Sequence, residues 1–95
     1  MKHVILVKWN QSVTDKDLMK VEAEKIFRKL LLIDGIHDVK LHKNVVDRNN
    51  RFDLMIMIEM DKEVLPIYDE SEPHKEWKEK FGKYTENKAI FDFED

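Results

Sequence analysis

Polar and apolar residues alternate along the chain with two periods, and the switches between them mark out six main elements and one short helical segment. Lys2 to Trp9 (KHVILVKW) is rich in β-formers. His3, Ile5, Val7 and Trp9 share one face and Val4, Leu6 and Lys8 the other, so both faces are apolar. Asn10 to Thr14 reads as a turn, with Thr14 as helix N-cap and Asp17 three residues on in an approximate capping box. A long helix is predicted over about 15–32. Met19, Ala23, Ile26, Phe27 and Leu30 form its inward stripe, and Lys16, Lys20, Glu24 and Lys25 lie mostly on the solvent side. Asp34-Gly35 ends it, because glycine enters the left-handed cap conformation without steric cost.

Ile36 to Val46 predicts a second strand with one dry face, since Val39 and Leu41 alternate with Asp38, Lys40 and His42. Asp47 to Asn50 is a turn. In the third strand, Phe52 to Met60, one face holds Phe52, Leu54, Ile56, Ile58 and Met60, while Met55 and Met57 make the middle of the other apolar. Asp61 to Tyr68 predicts a short helical segment limited by Pro66. Ser71 then caps a second helix over about 72–83, with Pro73 tolerated in its first turn and His74, Trp77, Phe81 and Tyr84 along one stripe. A short last strand, Lys88 to Phe93, carries Ala89, Phe91 and Phe93 on one side.

The order β-α-β-β-α-β, with the doubly apolar first and third strands central, predicts an α+β, ferredoxin-like sandwich. Its four-stranded antiparallel sheet would have the order 4-1-3-2. Two helices cover one face of such a sheet. The other would expose Val4 and Leu6, or Ile56 and Ile58, depending on which face the helices take. At roughly 25 cal/mol per Å2, covering that patch is worth many kcal/mol. The expected cover is a second copy, sheet against sheet, giving an isologous homodimer and a dimeric α+β barrel. The alternative is a monomer shielded by its own loops and termini.

Ninety-five residues suffice for one core, so residues 1–95 are expected to form a single domain. With 17 Lys and Arg against 20 Asp and Glu, the net charge is −3, and nothing favours a nucleic-acid backbone as partner. The absence of cysteine removes disulfides, thiolate metal sites and cysteine nucleophiles. The first strand begins almost at Met1 with no signal-peptide layout, and no apolar run approaches the ~18 residues of a membrane span. The expectation is a cytoplasmic protein with no membrane partner. The chain has two glycines, both turn or cap candidates, and no phosphate-cradling loop, so no nucleotide or other cofactor is expected. No metal site is expected either: His37 and His42 lie on opposite strand faces, and Asp69, Glu70 and Glu72 offer only a weak case for a hard cation. Met55, Met57 and Met60 read as interface and core filler, and Asp92, Glu94 and Asp95 as a solvated acidic end.

Three residues are candidates for chemistry. His3 shares a strand face with Ile5, Val7 and Trp9, and desolvation there favours a neutral imidazole able to accept a proton. The alternative is a structural histidine bonded to a backbone carbonyl or a tyrosine. His74, in the first turn of the second helix, is kept neutral by the helix N-terminus, or merely caps and packs it. Tyr68 carries a phenol suited to a carbonyl or a histidine, or is an ordinary half-buried tyrosine. A chain break near Pro73 would bring Tyr68 and His74 together, which a continuous helix would not. Together the three suit proton abstraction beside a carbonyl, with His3 as general base and the phenol steadying the enolate. The walls of such a pocket would be Ile5, Val7, Phe27, Leu30, Leu54, Trp77 and Phe81, which are plain core if no pocket exists.

The opening Met1-Lys2-His3-Val4-Ile5-Leu6-Val7-Lys8, the strand Phe52-Asp53-Leu54-Met55-Ile56-Met57 and the segment Tyr68 to His74 resemble the stress-responsive A/B barrel family over nearly the whole chain. The family's first strand carries a His at its third or a nearby position, and in the last segment a Tyr precedes a His by six positions. The family's Pro usually stands two residues before that His, whereas here Pro73 adjoins His74, and Ser71 occupies a place where another His is frequent. Leu54 stands where plant members acting as polyketide cyclases carry a further His. The resemblance implies a dimeric α+β barrel. Two functions fit it: a cofactor-independent cyclase- or lyase-like enzyme acting on a small, largely apolar carbonyl compound, or a non-catalytic, stress-related binding or structural dimer. A haem- or oxygen-using relative on the same fold fits less well, because no axial ligand set is evident.

Overall fold

The computed structural model describes all 95 residues. Strand β1 (Lys2–Trp9) is followed by helix α1 (Lys16–Phe27), strands β2 (Ile36–Lys43) and β3 (Leu54–Met60), helices α2 (Leu65–Asp69) and α3 (Glu72–Phe81), and strand β4 (Thr85–Phe93). The sheet order is β2-β3-β1-β4, the predicted 4-1-3-2, and every neighbouring pair is antiparallel. Both long helices lie on the face bearing Ile5, Val7 and Trp9, where they bury a single core. Its aromatic centre is Trp77, whose ring centroid lies 5.1 Å from Phe27 and 4.6 Å from Phe81.

Several boundaries differ from the sequence expectation, each for a local reason. The N-cap of α1 is Asp15 rather than Thr14: its carboxylate accepts the Leu18 N–H at 3.0 Å, and its charge suits the positive helix end. The α-helix stops at Phe27, and Arg28–Leu32 tightens into a 3-10 turn. Strand β2 ends at Lys43 rather than Val46, because Asn44 Oδ1 accepts the Val46 N–H at 2.9 Å and folds the chain into an Asx turn. Pro66 begins α2 rather than limiting a helix, standing in the first turn where its missing N–H costs nothing. Strand β4 starts at Thr85 and is nine residues long rather than short. In its polar stretch Asn87 and Lys88 pair with Lys8 and Val7 of β1, while Glu86 falls at a register shift, a bulge that an edge strand tolerates.

Gly35 is the one residue with positive φ, at +92°. A Cβ there would also run into Val64 Cγ2, which is side chain of the buried core. Gly35→Ala therefore combines left-handed strain with overpacking, and urea unfolding should show a loss of roughly 2–4 kcal/mol. An unchanged midpoint would mean that the turn can relax.

The face away from the helices carries two apolar rows across three strands. Met57, Val4 and Phe91 are register partners in one row, and Met55, Leu6 and Ala89 in the other. Ile56 and Ile58 point into the core, so this is the Val4 and Leu6 face. Val4 itself is covered by its neighbours, contrary to expectation, while Phe91 is 66% exposed and Leu6, Met55 and Met57 are half-buried.

Candidate active site

The candidate site forms at one end of the helix-covered side, where β1, β4, α2 and α3 converge. His3 enters it from β1. Its cross-strand partner on β4 is Asp92, whose Oδ1 lies 2.5 Å from His3 Nδ1. A carboxylate oxygen accepts, so Nδ1–H donates to Asp92, and in the neutral form of the ring the lone pair is on Nε2. The imidazole is buried, with 6% of the residue exposed.

Tyr68 and His74 are brought together by Ser71. The Ser71 hydroxyl donates to the Tyr68 carbonyl at the end of α2 (2.7 Å), and its oxygen accepts the His74 N–H at the start of α3 (3.3 Å). This break between two short helices sets the Tyr68 and His74 rings 4.8 Å apart despite six residues of sequence. The His3 and Tyr68 rings meet edge-on at 5.2 Å, so the tyrosine stands between the two histidines.

His74 Nδ1 donates to the Asp69 carbonyl at 2.8 Å, which again leaves Nε2 as the accepting nitrogen. Burial pushes the His74 pKa below the ordinary imidazole value, and Lys78 and Lys88 add to the effect against the opposing Asp69 carbonyl bond. His74 is thus neutral at neutral pH. Tyr68 is 1% exposed, and its hydroxyl is buried without a hydrogen-bond partner. Burial, followed by the charges of Asp69 and Asp92, raises its pKa far above the ordinary phenol value, so it stays a proton donor. The arrangement offers two imidazole lone pairs and one unused O–H.

The structure thus brings His3, Tyr68 and His74 into one cluster. It adds Asp92, which the sequence reading assigned to a solvated end. The signal for it was present: on a strand where Ala89, Phe91 and Phe93 share one face, Asp92 takes the other, and β4 adjoins β1 in the predicted order. Ile5, Val7, Phe27, Leu30, Leu54, Trp77 and Phe81 are all at most 5% exposed and belong to the packed core. Trp77 and Phe81 also reach the floor of a hollow of about 450 Å3 between α3 and β4. His37 and His42 are exposed, with His37 Nε2 2.9 Å from Asp61 Oδ1. No group of three or more His, Asp or Glu is placed to hold a metal ion, and no helix is long and apolar enough to cross a membrane.

Solved structures with the same architecture come from distant organisms. A protein of Bacteroides fragilis NCTC 9343, described as dimeric, ferredoxin-like and of unknown function, superposes with a TM-score of 0.81 at 17% identity, over 99% of this chain and 94% of its own. The Arabidopsis thaliana protein At3g17210 gives 0.78 at 20% identity, over 99% and 93%. The hydroxynitrile lyase of Passiflora edulis gives 0.72 at 10% identity, over 97% and 89%. No curated protein matches the chain by sequence. The family model for the Stress responsive A/B Barrel Domain matches residues 1–95. With that match over the full length and the ferredoxin-like sheet beneath it, the chain belongs to the stress-responsive A/B barrel family.

Proposed function

We propose that the protein is a cofactor-independent acid–base enzyme acting on a small, largely apolar carbonyl compound, and that it works as a homodimer packed through the open sheet face. The observation that carries the catalytic reading is the Tyr68 hydroxyl, buried between two histidines with no partner. An unpaired buried hydroxyl costs about 1–3 kcal/mol. That cost is sensible where a ligand oxygen takes the bond.

In this reading His3 Nε2 removes a proton from the carbon beside the carbonyl, and the C–H electron pair passes into the enolate. Tyr68 donates to the enolate oxygen, Asp92 stabilises the imidazolium that forms, and His74 Nε2 orients the substrate by accepting from a hydroxyl. The enolate carbon then bonds to a second carbonyl carbon in a ring closure, whose π pair moves onto oxygen as an alkoxide that takes the proton back from the His3 imidazolium; a carbon–carbon cleavage runs the same steps in reverse. The fold accommodates enzymes, since one structural neighbour is a hydroxynitrile lyase. The dimer reading rests on the Met57–Val4–Phe91 and Met55–Leu6–Ala89 rows and on neighbours described as dimeric.

A second reading, a non-catalytic binding or structural dimer, is favoured by the close packing of the residues that would wall a pocket. Exchange of α-protons for deuterium in a panel of small ketones, followed by proton NMR in D2O, separates the two. Exchange above the buffer rate supports catalysis; none across the panel leaves the second reading.

Tyr68→Phe supplies an independent check. Removing an unsatisfied hydroxyl should leave the fold as stable or raise its stability by about 1 kcal/mol, while the exchange rate falls roughly 10²-fold. A destabilised variant would show that the hydroxyl is satisfied in the native protein.

A further inference from the structure

The hollow between α3 and β4 is lined by Trp77, Lys78, Phe81, Thr85, Glu86 and Lys88, among others, and His3, Tyr68 and His74 lie outside that lining. Its volume, about 450 Å3, is in the range of small-molecule sites. Two of its residues continue the faces that build the cluster. Lys78 follows His74 by one helical turn on α3, and Lys88 precedes Asp92 by four residues on β4, hence on the same strand face. Ile90, 54% exposed, lies between Lys88 and Asp92 on that face.

Neither lysine makes an ion pair, and Glu86 is the sole carboxylate in the lining. The groove between α1 and α3 is different. There Lys25 is held by Glu22, Lys29 and Lys80 share Glu76, and of the four lysines only Lys83 makes no ion pair. The hollow between α3 and β4 thus keeps two uncommitted cations over an aromatic floor, separated from the histidine–tyrosine cluster by the apolar step of Ile90.

We infer that this hollow is a carboxylate subsite, and that the substrate is an oxo acid whose carbonyl reaches His3, Tyr68 and His74 while its carboxylate pairs with Lys78 and Lys88. The inference rests on the acid–base reading proposed above. Four strand residues span about 13 Å, so a chain of several methylenes crosses Ile90 between the two ends.

The test pairs acids with their methyl esters: 4-oxopentanoate, 6-oxoheptanoate and 8-oxononanoate, in the deuterium-exchange assay. The wild type should favour acid over ester by about tenfold in kcat/KM for the longer chains, the effect expected of one charged hydrogen bond. Lys78→Gln with Lys88→Gln should bring the ratio close to one. Equal rates for acid and ester in the wild type, or a ratio indifferent to the two substitutions, would overturn the subsite. If no compound exchanges, the catalytic reading fails and a binding experiment decides the subsite by itself. In His3→Gln protein, 8-oxononanoate should shift the amide resonances of Gly82, Thr85 and Asn87 saturably and its methyl ester should not. Absence of that difference would overturn the subsite.

Discussion

His3→Gln is expected to slow α-proton loss from a small ketone by roughly 10²–10⁴-fold, the span typical of a lost general base. That corresponds to about 3–5 kcal/mol of barrier. Glutamine keeps a planar polar group of similar reach and can still donate to Asp92, so the carboxylate is not stranded. What disappears is the basic Nε2. The fold should therefore persist, shown by an unchanged circular dichroism spectrum and hydrodynamic mass, while exchange measured by proton NMR collapses. A variant as active as the wild type would remove His3 from the chemistry.

Phe91→Glu is expected to convert a protein of twice the 11.5 kDa chain mass into a monomer at micromolar concentration. Phe91 is the most exposed aromatic of the open face and ends the row that runs through Val4 to Met57. Burying a phenylalanine is worth about 1.5–3 kcal/mol, and a twofold interface counts it twice. Replacing it by a carboxylate adds an unpaired charge to each side of the contact. Dissociation should become easier by roughly 10³-fold or more, read by sedimentation velocity. A wild-type chain that sediments as a monomer in the same range would refute the packing of sheet on sheet.

The sequence made the fold legible because its two periods are clean. Apolar residues on both faces of the first and third strands placed them at the centre, and their order with the helices followed. The ends of elements were less legible, since tertiary partners set them. Pairing of Thr85, Asn87 and Lys88 with β1 draws this polar stretch into a strand, and the Asn44 side chain ends β2 three residues early. In the site, His3 could be assigned to the helix side by alternation alone, and the Tyr68–His74 meeting was foreseen from a break near Pro73. The hinge is instead Ser71, whose hydroxyl bonds both neighbouring segments. Alternation puts Asp92 on the helix-facing side of β4, but which β1 residue it meets is set by the register of the two strands, which the sequence alone does not give.

Phe91 and Asp92 are consecutive residues of one outer ribbon, the first facing away from the helices and the second hydrogen-bonded to the His3 imidazole. In the proposed dimer, a subunit stripped of its mate loses the cover over Phe91 on an edge strand already paired on one flank only, and outer ribbons are where native proteins first open. Under the proposed dimer and the proposed base, dilution would disarm His3 before it unfolds the protein, and activity would then follow concentration as well as sequence.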